Sequence, residues 1–361
     1  MYLLRFPLGS LVPALLACCM ATVATLHAQP RKAIPPTAAQ EELIGQGSRA
    51  HDSGDYSRAI SLYRQVLNQN PDVVMAIYEM SFTFFESKQF DSAVAYARRG
   101  LEYASDQEPL LYVTLGSSYD AQGKGEKAIE TYSAGLKKHP SFALLHFNLG
   151  VTYFSRREGA LALASFKQAL RLEPNHPGSH FWLGQTYQAL GYRIPAALAF
   201  CRFLMLEPAT RRSEVAVHTI HEIIGSLVSV GGEAKNEIVL RPSDSLHLEE
   251  GDFRGLELKL GMLIGTSRSM GLSKEDEPIT WLDISQLVDG CGDSVIAAGH
   301  GFAAAYYAPY FAQLEQHGFS EAFSKYVLIS MNDSNTVAWL KEHEEDVRSM
   351  FRWSAAYMWP R

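Results

Sequence analysis

Two places in this chain hold residue types that could do chemistry. His218 and His221 stand three apart, with Glu222 following. On a helix that spacing puts both imidazoles on one face, where two ring nitrogens can share a metal ion. The zinc-hydrolase helix needs its histidines four apart with a glutamate after the first. No third ligand is pointed to, so a histidine pair at a surface or interface is the plainer reading. The second place is Cys291-Gly292-Asp293 with His300-Gly301. A catalytic thiol needs a positioned base to lower its pKa, and nothing in this spacing promises one. The runs Glu249-Glu250-Gly251-Asp252 and Lys274-Glu275-Asp276-Glu277 lack the ligand order of a calcium loop. They read as solvated loop charge. The expectation is a chain that binds rather than turns over: no catalytic residues, no metal and no cofactor.

Whatever function the chain has must be positioned by a repeated helical pair. Leu149-Gly150-Val151-Thr152-Tyr153 is followed by Ala162, Phe166, Ala169 and Pro174. The same slots one unit later hold Leu183-Gly184-Gln185-Thr186-Tyr187, Ala196, Phe200, Phe203 and Pro208. One unit earlier they hold Leu115-Gly116-Ser117-Ser118-Tyr119, Ala128, Tyr132, Gly135 and Pro140. The small residue of the second helix recurs at Ala59, Ala93, Ala128, Ala162 and Ala196, in steps of 34, 35, 34 and 34 residues. A glycine midway along a helix costs about 1 kcal/mol against alanine. Close approach of the neighbouring helix is the natural offset for Gly116, Gly150 and Gly184. Proline ends each second helix, since its ring cannot continue the backbone pattern.

A fixed period near 34 with these residue types resembles the tetratricopeptide repeat. The resemblance covers roughly half the chain and implies an α-solenoid of five helix pairs over residues 40–210. The second unit departs from the pattern, with Ser81 for Gly, Ser105 for Pro and one extra residue before Pro109. The resemblance also implies that the first helix of each pair lines a concave groove. The groove slots hold Ile44, Ser48 and His51; Tyr78, Phe82 and Phe85; Val113, Ser117 and Asp120; Phe147, Val151 and Phe154; Phe181, Gln185 and Gln188. Relatives that grip a partner's terminal carboxylate carry a clamp of lysines, arginine and asparagine here. The matching places hold Ile44, Ser48, Glu79, Leu110 and Thr114, so that clamp is absent. The implied partner is a protein or peptide with an apolar segment, anchored by Tyr78, Phe82, Phe85, Phe147, Phe154 and Phe181. Two alternatives stand beside it: the chain's own tail fills the groove, or some of these rings face the core.

The remaining sequence sets the frame. The 361 residues carry a net charge of −7, which argues against nucleic acid as the main partner. Residues 29–210 hold 18 Lys/Arg and 17 Asp/Glu, and residues 211–361 hold 13 and 22, so the excess acid lies beyond the array. Arg5 precedes an apolar run from Phe6 to Leu26, then His27-Ala28. This reads as a secretory signal peptide over residues 1–28 and an exported, periplasmic or secreted chain. A lipoprotein signal through Cys18 and a retained membrane anchor are the alternatives. Past such a cut only Cys201 and Cys291 remain, too few for a disulfide framework. Residues 29–39 read as a Pro-rich linker.

After Pro208 the period stops. A capping helix with Ile220, Ile223, Ile224, Leu227 and Val228 at helical spacing is expected to run to Gly231-Gly232. The rest of 211–361 reads as an acidic helical domain of no recognised family, with a short strand at Ile238–Leu240. Its helices are expected near 253–267, 280–290, 300–316, 320–329 and 335–358. Gly255, Gly261 and Gly265 fall in the first of these, and the four-residue spacing of the last two reads as tight packing or a misjudged helix. An alternative function follows: the array recruits a substrate for a catalytic or ligand-binding tail.

Overall fold

The computed structural model describes residues 30–231, 237–243, 249–270, 278–292 and 300–360. The expected export segment, Cys18, Asp293 and the 274–277 run lie outside the described residues. The first ten helices are α1 (Ala38–Asp52), α2 (Tyr56–Gln69), α3 (Val74–Glu86), α4 (Phe90–Gly100), α5 (Glu108–Ala121), α6 (Gly125–Lys138), α7 (Ala143–Ser155), α8 (Gly159–Leu172), α9 (Pro177–Ala189) and α10 (Arg193–Leu206). They pack pairwise, and each pair stacks on the next, as the five-unit reading requires. Thr37 and Gln40 close a capping box on α1, and Asp55 caps α2.

The helical glycines lie under aromatic rings. A Cβ on Gly116 would stand 2.3 Å from the Tyr132 ring, on Gly150 2.7 Å from Phe166, and on Gly184 2.9 Å from Phe200. Each ring of a second helix therefore rests on the backbone of its own first helix. Gly116→Ala gains about 1 kcal/mol of helix propensity but forces Tyr132 off its seat, at about 1–3 kcal/mol. A lower denaturation midpoint is expected; an unchanged midpoint would mean that the ring can move.

The turn inside each pair has one residue in the left-handed region: Gly54, Lys88, Gly123, Arg157 and Gly191, with φ of 80°, 61°, 73°, 62° and 84°. These positions share the repeat spacing. Units two and four accept a side chain where the backbone favours none. Lys88→Gly and Arg157→Gly are each expected to stabilise by about 0.5–1 kcal/mol, read as a rise in melting temperature.

The segment before α1 is not a free linker in its described part. Strand β1 (Arg31–Lys32) runs parallel to β2 (Tyr103–Ala104). Arg31 pairs with Asp72 at 3.1 Å and lies over the Tyr103 ring at 4.7 Å. The Tyr103 hydroxyl donates to the same Asp72 at 2.6 Å. β2 belongs to the exit turn that carries the extra residue of unit two, so the irregular repeat is the one that receives the arm.

Beyond the array, α11 (Arg211–Ser226) caps α10 but ends earlier than expected. Val228 instead begins a hairpin, β3 (Val228–Gly231) against β4 (Glu237–Leu240), which adds a second small sheet to an otherwise helical fold. α12 (Arg254–Ser269) lies on that hairpin: a Cβ on Gly265 would meet Ile238 at 2.5 Å, and one on Gly261 would meet Leu240 at 3.0 Å. This is the close packing expected of those two glycines, whereas Gly255 faces open space. Next come α13 (Trp281–Asp289), capped by Thr280 and Asp283, then α14 (Phe302–Tyr306) and α15 (Ala308–Gln316). The last are α16 (Ser320–Val327), α17 (Ser334–Glu342) and α18 (Glu344–Ala356). The expected 300–316 helix breaks at Tyr307, just before Pro309, and the expected 335–358 helix breaks at His343.

Candidate functional site

The first helices of successive units touch one another: α1 with α3, α3 with α5, α5 with α7, and α7 with α9. They make one wall. At its near end, His51 stacks on Phe82 at 4.9 Å, Tyr78 stacks on Phe82 at 6.2 Å, and Phe85 meets Phe90 at 5.9 Å. At its far end, Phe147 meets His176 edge-on at 4.7 Å and Phe154 meets Trp182 at 5.1 Å. Tyr78, Phe82, Phe85, Phe147 and Phe154 are all half-buried, so each keeps an exposed edge. The sixth expected anchor differs. Phe181 is only 7% exposed, held by Phe200, Phe203 and the Arg212 guanidinium at 5.6 Å. The start of α11 closes that end of the wall and takes Phe181 into the core.

Beyond α1, whose Arg49 is paired with Glu42, the wall is one-signed in charge. α3, α5, α7 and α9 contain no Lys or Arg, but carry Glu79, Glu86, Glu108 and Asp120. The other helical cations of the array sit on the second helices, as with Arg64, Arg98, Lys137 and Arg171. Glu108 is paired with Lys138 and lies 3.1 Å from the His139 ring. Glu79 and Asp120 have no ion-pair partner among the described residues. Burial raises the pKa of both; hydrogen bonds from Tyr63 to Glu79 and from Thr152 to Asp120 pull the other way. The missing cations in the clamp slots are part of this pattern.

The tail seats on α10 and the capping helix α11, with further contacts to α8 and α9, and α10 is buried from Ile194 to Met205 on every face. Arg202, 2% exposed, donates to Asn175 at 2.7 Å, to Ser354 at 2.9 Å and to Tyr310 at 3.0 Å. Its guanidinium lies 4.9 Å from the Tyr310 ring and 5.0 Å from the Trp359 ring. His180 is fully buried between the Pro174 carbonyl and the Tyr307 hydroxyl, each at 2.8 Å. Glu250 is buried against Lys167 and accepts from the Tyr187 hydroxyl at 2.8 Å, and Glu249 accepts from Tyr192. Glu250 is therefore not solvated, because the array supplies Lys167 and the Tyr187 hydroxyl to meet it, whereas Glu249 stays exposed. The sequence did carry a signal for this docking face. The slots of Lys167 and Arg171 in α8 are filled by Cys201 and Met205 in α10.

The chemical candidates come apart. His218 is exposed beside Glu222 at 3.3 Å. Among the described residues no three His, Cys, Asp or Glu side chains converge on a metal position. Cys201 and Cys291 are buried, and burial pushes both thiols up, opposite to the activation a nucleophile needs. Among the described residues no helix is long and apolar enough to cross a membrane.

Family models described as tetratricopeptide repeat match residues 50–115 and 113–177. The chain is 29% identical over 104 residues to small glutamine-rich tetratricopeptide repeat-containing protein 2 of Mycosarcoma maydis, a match spanning 28% of each chain. Among solved structures it resembles TTC0263, a thermophilic TPR protein of Thermus thermophilus. There the TM-score is 0.45 at 22% identity, over 50% of this chain and 98% of that one. MamA gives a TM-score of 0.39 at 21% identity, over 45% and 94%.

Proposed function

We propose, from the premise that residues 50–177 of this chain are tetratricopeptide repeats, that it is an exported scaffold whose inner wall takes an apolar segment of a partner protein. The observation that carries the reading is a row of five half-buried rings on the first helices. A preformed wall of this kind binds an amphipathic helix or extended peptide by filling the spaces between its rings. Tyr78, Phe82 and Phe85 serve one end of that segment, and Phe147 and Phe154 the other. The tail acts as the fixed cap that buries α10.

A photoreactive phenylalanine analogue at position 147, activated in the native cell, tests this. The expected product is a crosslink to another polypeptide. A crosslink only within the chain, to residues beyond 211, would put the tail in the groove and sink the reading. With the partner in hand, Phe82→Ala and Phe147→Ala should each weaken binding about tenfold or more, as buried aromatic anchors do. Export is proposed on the sequence of residues 1–28. Terminal sequencing of the cell-derived chain should find Gln29 first. A lipid-modified Cys18 would replace secretion with membrane attachment.

A further inference from the structure

We infer that the segment taken by this groove is cationic: an apolar peptide whose lysines or arginines meet Glu79 and Asp120. The inference rests on the groove reading above and adds its charge.

Three observations carry it. The first helices α3, α5, α7 and α9 have carboxylates and no Lys or Arg, and the single Lys or Arg on α1, Arg49, is paired with Glu42. These four helices hold no cation to repel a basic ligand, and would leave an acidic one unpaired on desolvation. Second, Glu79 and Asp120 are half-buried and have no ion-pair partner among the described residues. Glu79 is held by a long 3.5 Å hydrogen bond from Tyr63, and Asp52 bears on it electrostatically. Half-desolvated carboxylates without a cation are costly alone and become favourable once a cation arrives. Third, the rings beside Glu79 suit the same ligand. The His51, Phe82 and Tyr78 stack offers π-faces that attract an ammonium or guanidinium group. At the far end, Arg212 is already committed to Glu207 and to the Phe181 ring.

Glu79 lies on α3 among the near rings, and Asp120 lies on the next first helix, α5, between those rings and the rings of α7. The bound segment would therefore carry one positive charge among its near-end apolar residues and one midway to the far end.

The test uses the purified chain and three fluorescent amphipathic peptides. They share one Leu/Phe pattern and carry Lys, Gln or Glu at the polar positions, and binding is read by anisotropy. The Lys probe should bind about tenfold more tightly than the Gln probe, and the Glu probe most weakly. That advantage should vanish in the Glu79→Gln/Asp120→Asn variant, whose side chains keep their shape, while Phe82→Ala weakens all three probes alike. Equal binding of the Lys and Gln probes overturns the cationic preference and leaves the groove standing. So does a Lys advantage that survives the double variant, since the cause would then be the overall net charge. No binding by any probe overturns the groove reading and this inference together.

Discussion

Arg202→Ala is expected to cost about 3–5 kcal/mol and to loosen the tail while the array stays folded. The guanidinium is buried without a carboxylate, so its charge is carried by neutral acceptors and ring faces: Asn175, Ser354, Tyr310 and Trp359. Those groups come from the turn before α9, from α15, from α18 and from the stretch after it. One side chain thus ties the C-terminal end of the chain to the fifth unit. Truncation removes charge-assisted hydrogen bonds and two cation–π contacts and leaves a cavity. Lysine should rescue little, since an ammonium cannot supply the planar fork or stack on two rings. Methionine should do better than either. It fills the stem's volume without a buried charge, and Tyr310 and Ser354 keep their mutual 2.8 Å hydrogen bond. The readouts are a denaturation curve that splits into two steps and proteolysis beyond residue 211 while the array resists. A single unshifted transition in Arg202→Ala would show that the tail docks without this residue.

The array was legible because its period, its glycines and its prolines each have a local cause. Gly116 under Tyr132 follows from the chain's own neighbours in sequence. Tyr78, Phe82, Phe85, Phe147 and Phe154 keep part of their surface exposed, whereas Phe181 is buried by Phe200 and Phe203 and by Arg212 from an element outside the repeat. The tail was readable as helices, and Thr280 with Asp283 marked one start correctly. Its docking was not, because His180 with Tyr307 is a contact 127 residues apart, and Glu250 with Tyr187 one 63 apart. No periodicity connects such positions. The exception is α10. A helix apolar on every face must be covered on every face, and a second helix whose outer slots hold Cys201 and Met205 announces that something lies on its back. Glu250 misled for a related reason: its charge was read as solvent exposure before its partners Lys167 and Tyr187 could be seen.

Acid is expected to weaken the junction between array and tail, and His180 sets the window. Burial is the main cause holding its pKa at about 3, against 6.5 when exposed, and the nearby Arg202 adds to it. The geometry explains why the neutral ring is favoured. The Pro174 carbonyl can only accept, so Nε2 carries the proton and Nδ1 accepts from the Tyr307 hydroxyl. Protonating Nδ1 would strip that hydroxyl of its acceptor and place a second cation beside Arg202. The folded pKa lies below the unfolded one, so the unfolded chain binds the extra proton between pH 6.5 and 3. Stability is full above 6.5 and falls as the pH drops through that window, by about 2 kcal/mol at pH 5 for this one group. His176, also lowered by burial, acts in the same direction. The carboxylates held low by partners, Glu207 and Asp252, lose their contribution only further down the acid range. Melting curves between pH 7.5 and about pH 5 therefore leave those two carboxylates out, while Glu79 and Asp120, raised by burial, oppose the histidines, so the comparison between wild type and variant carries the test. The wild-type midpoint should fall steadily across that interval, and His180→Gln, whatever its starting stability, should show a visibly flatter slope. Parallel slopes would mean that His180 is already solvated in the folded chain, and that the tail does not close over α9 as described.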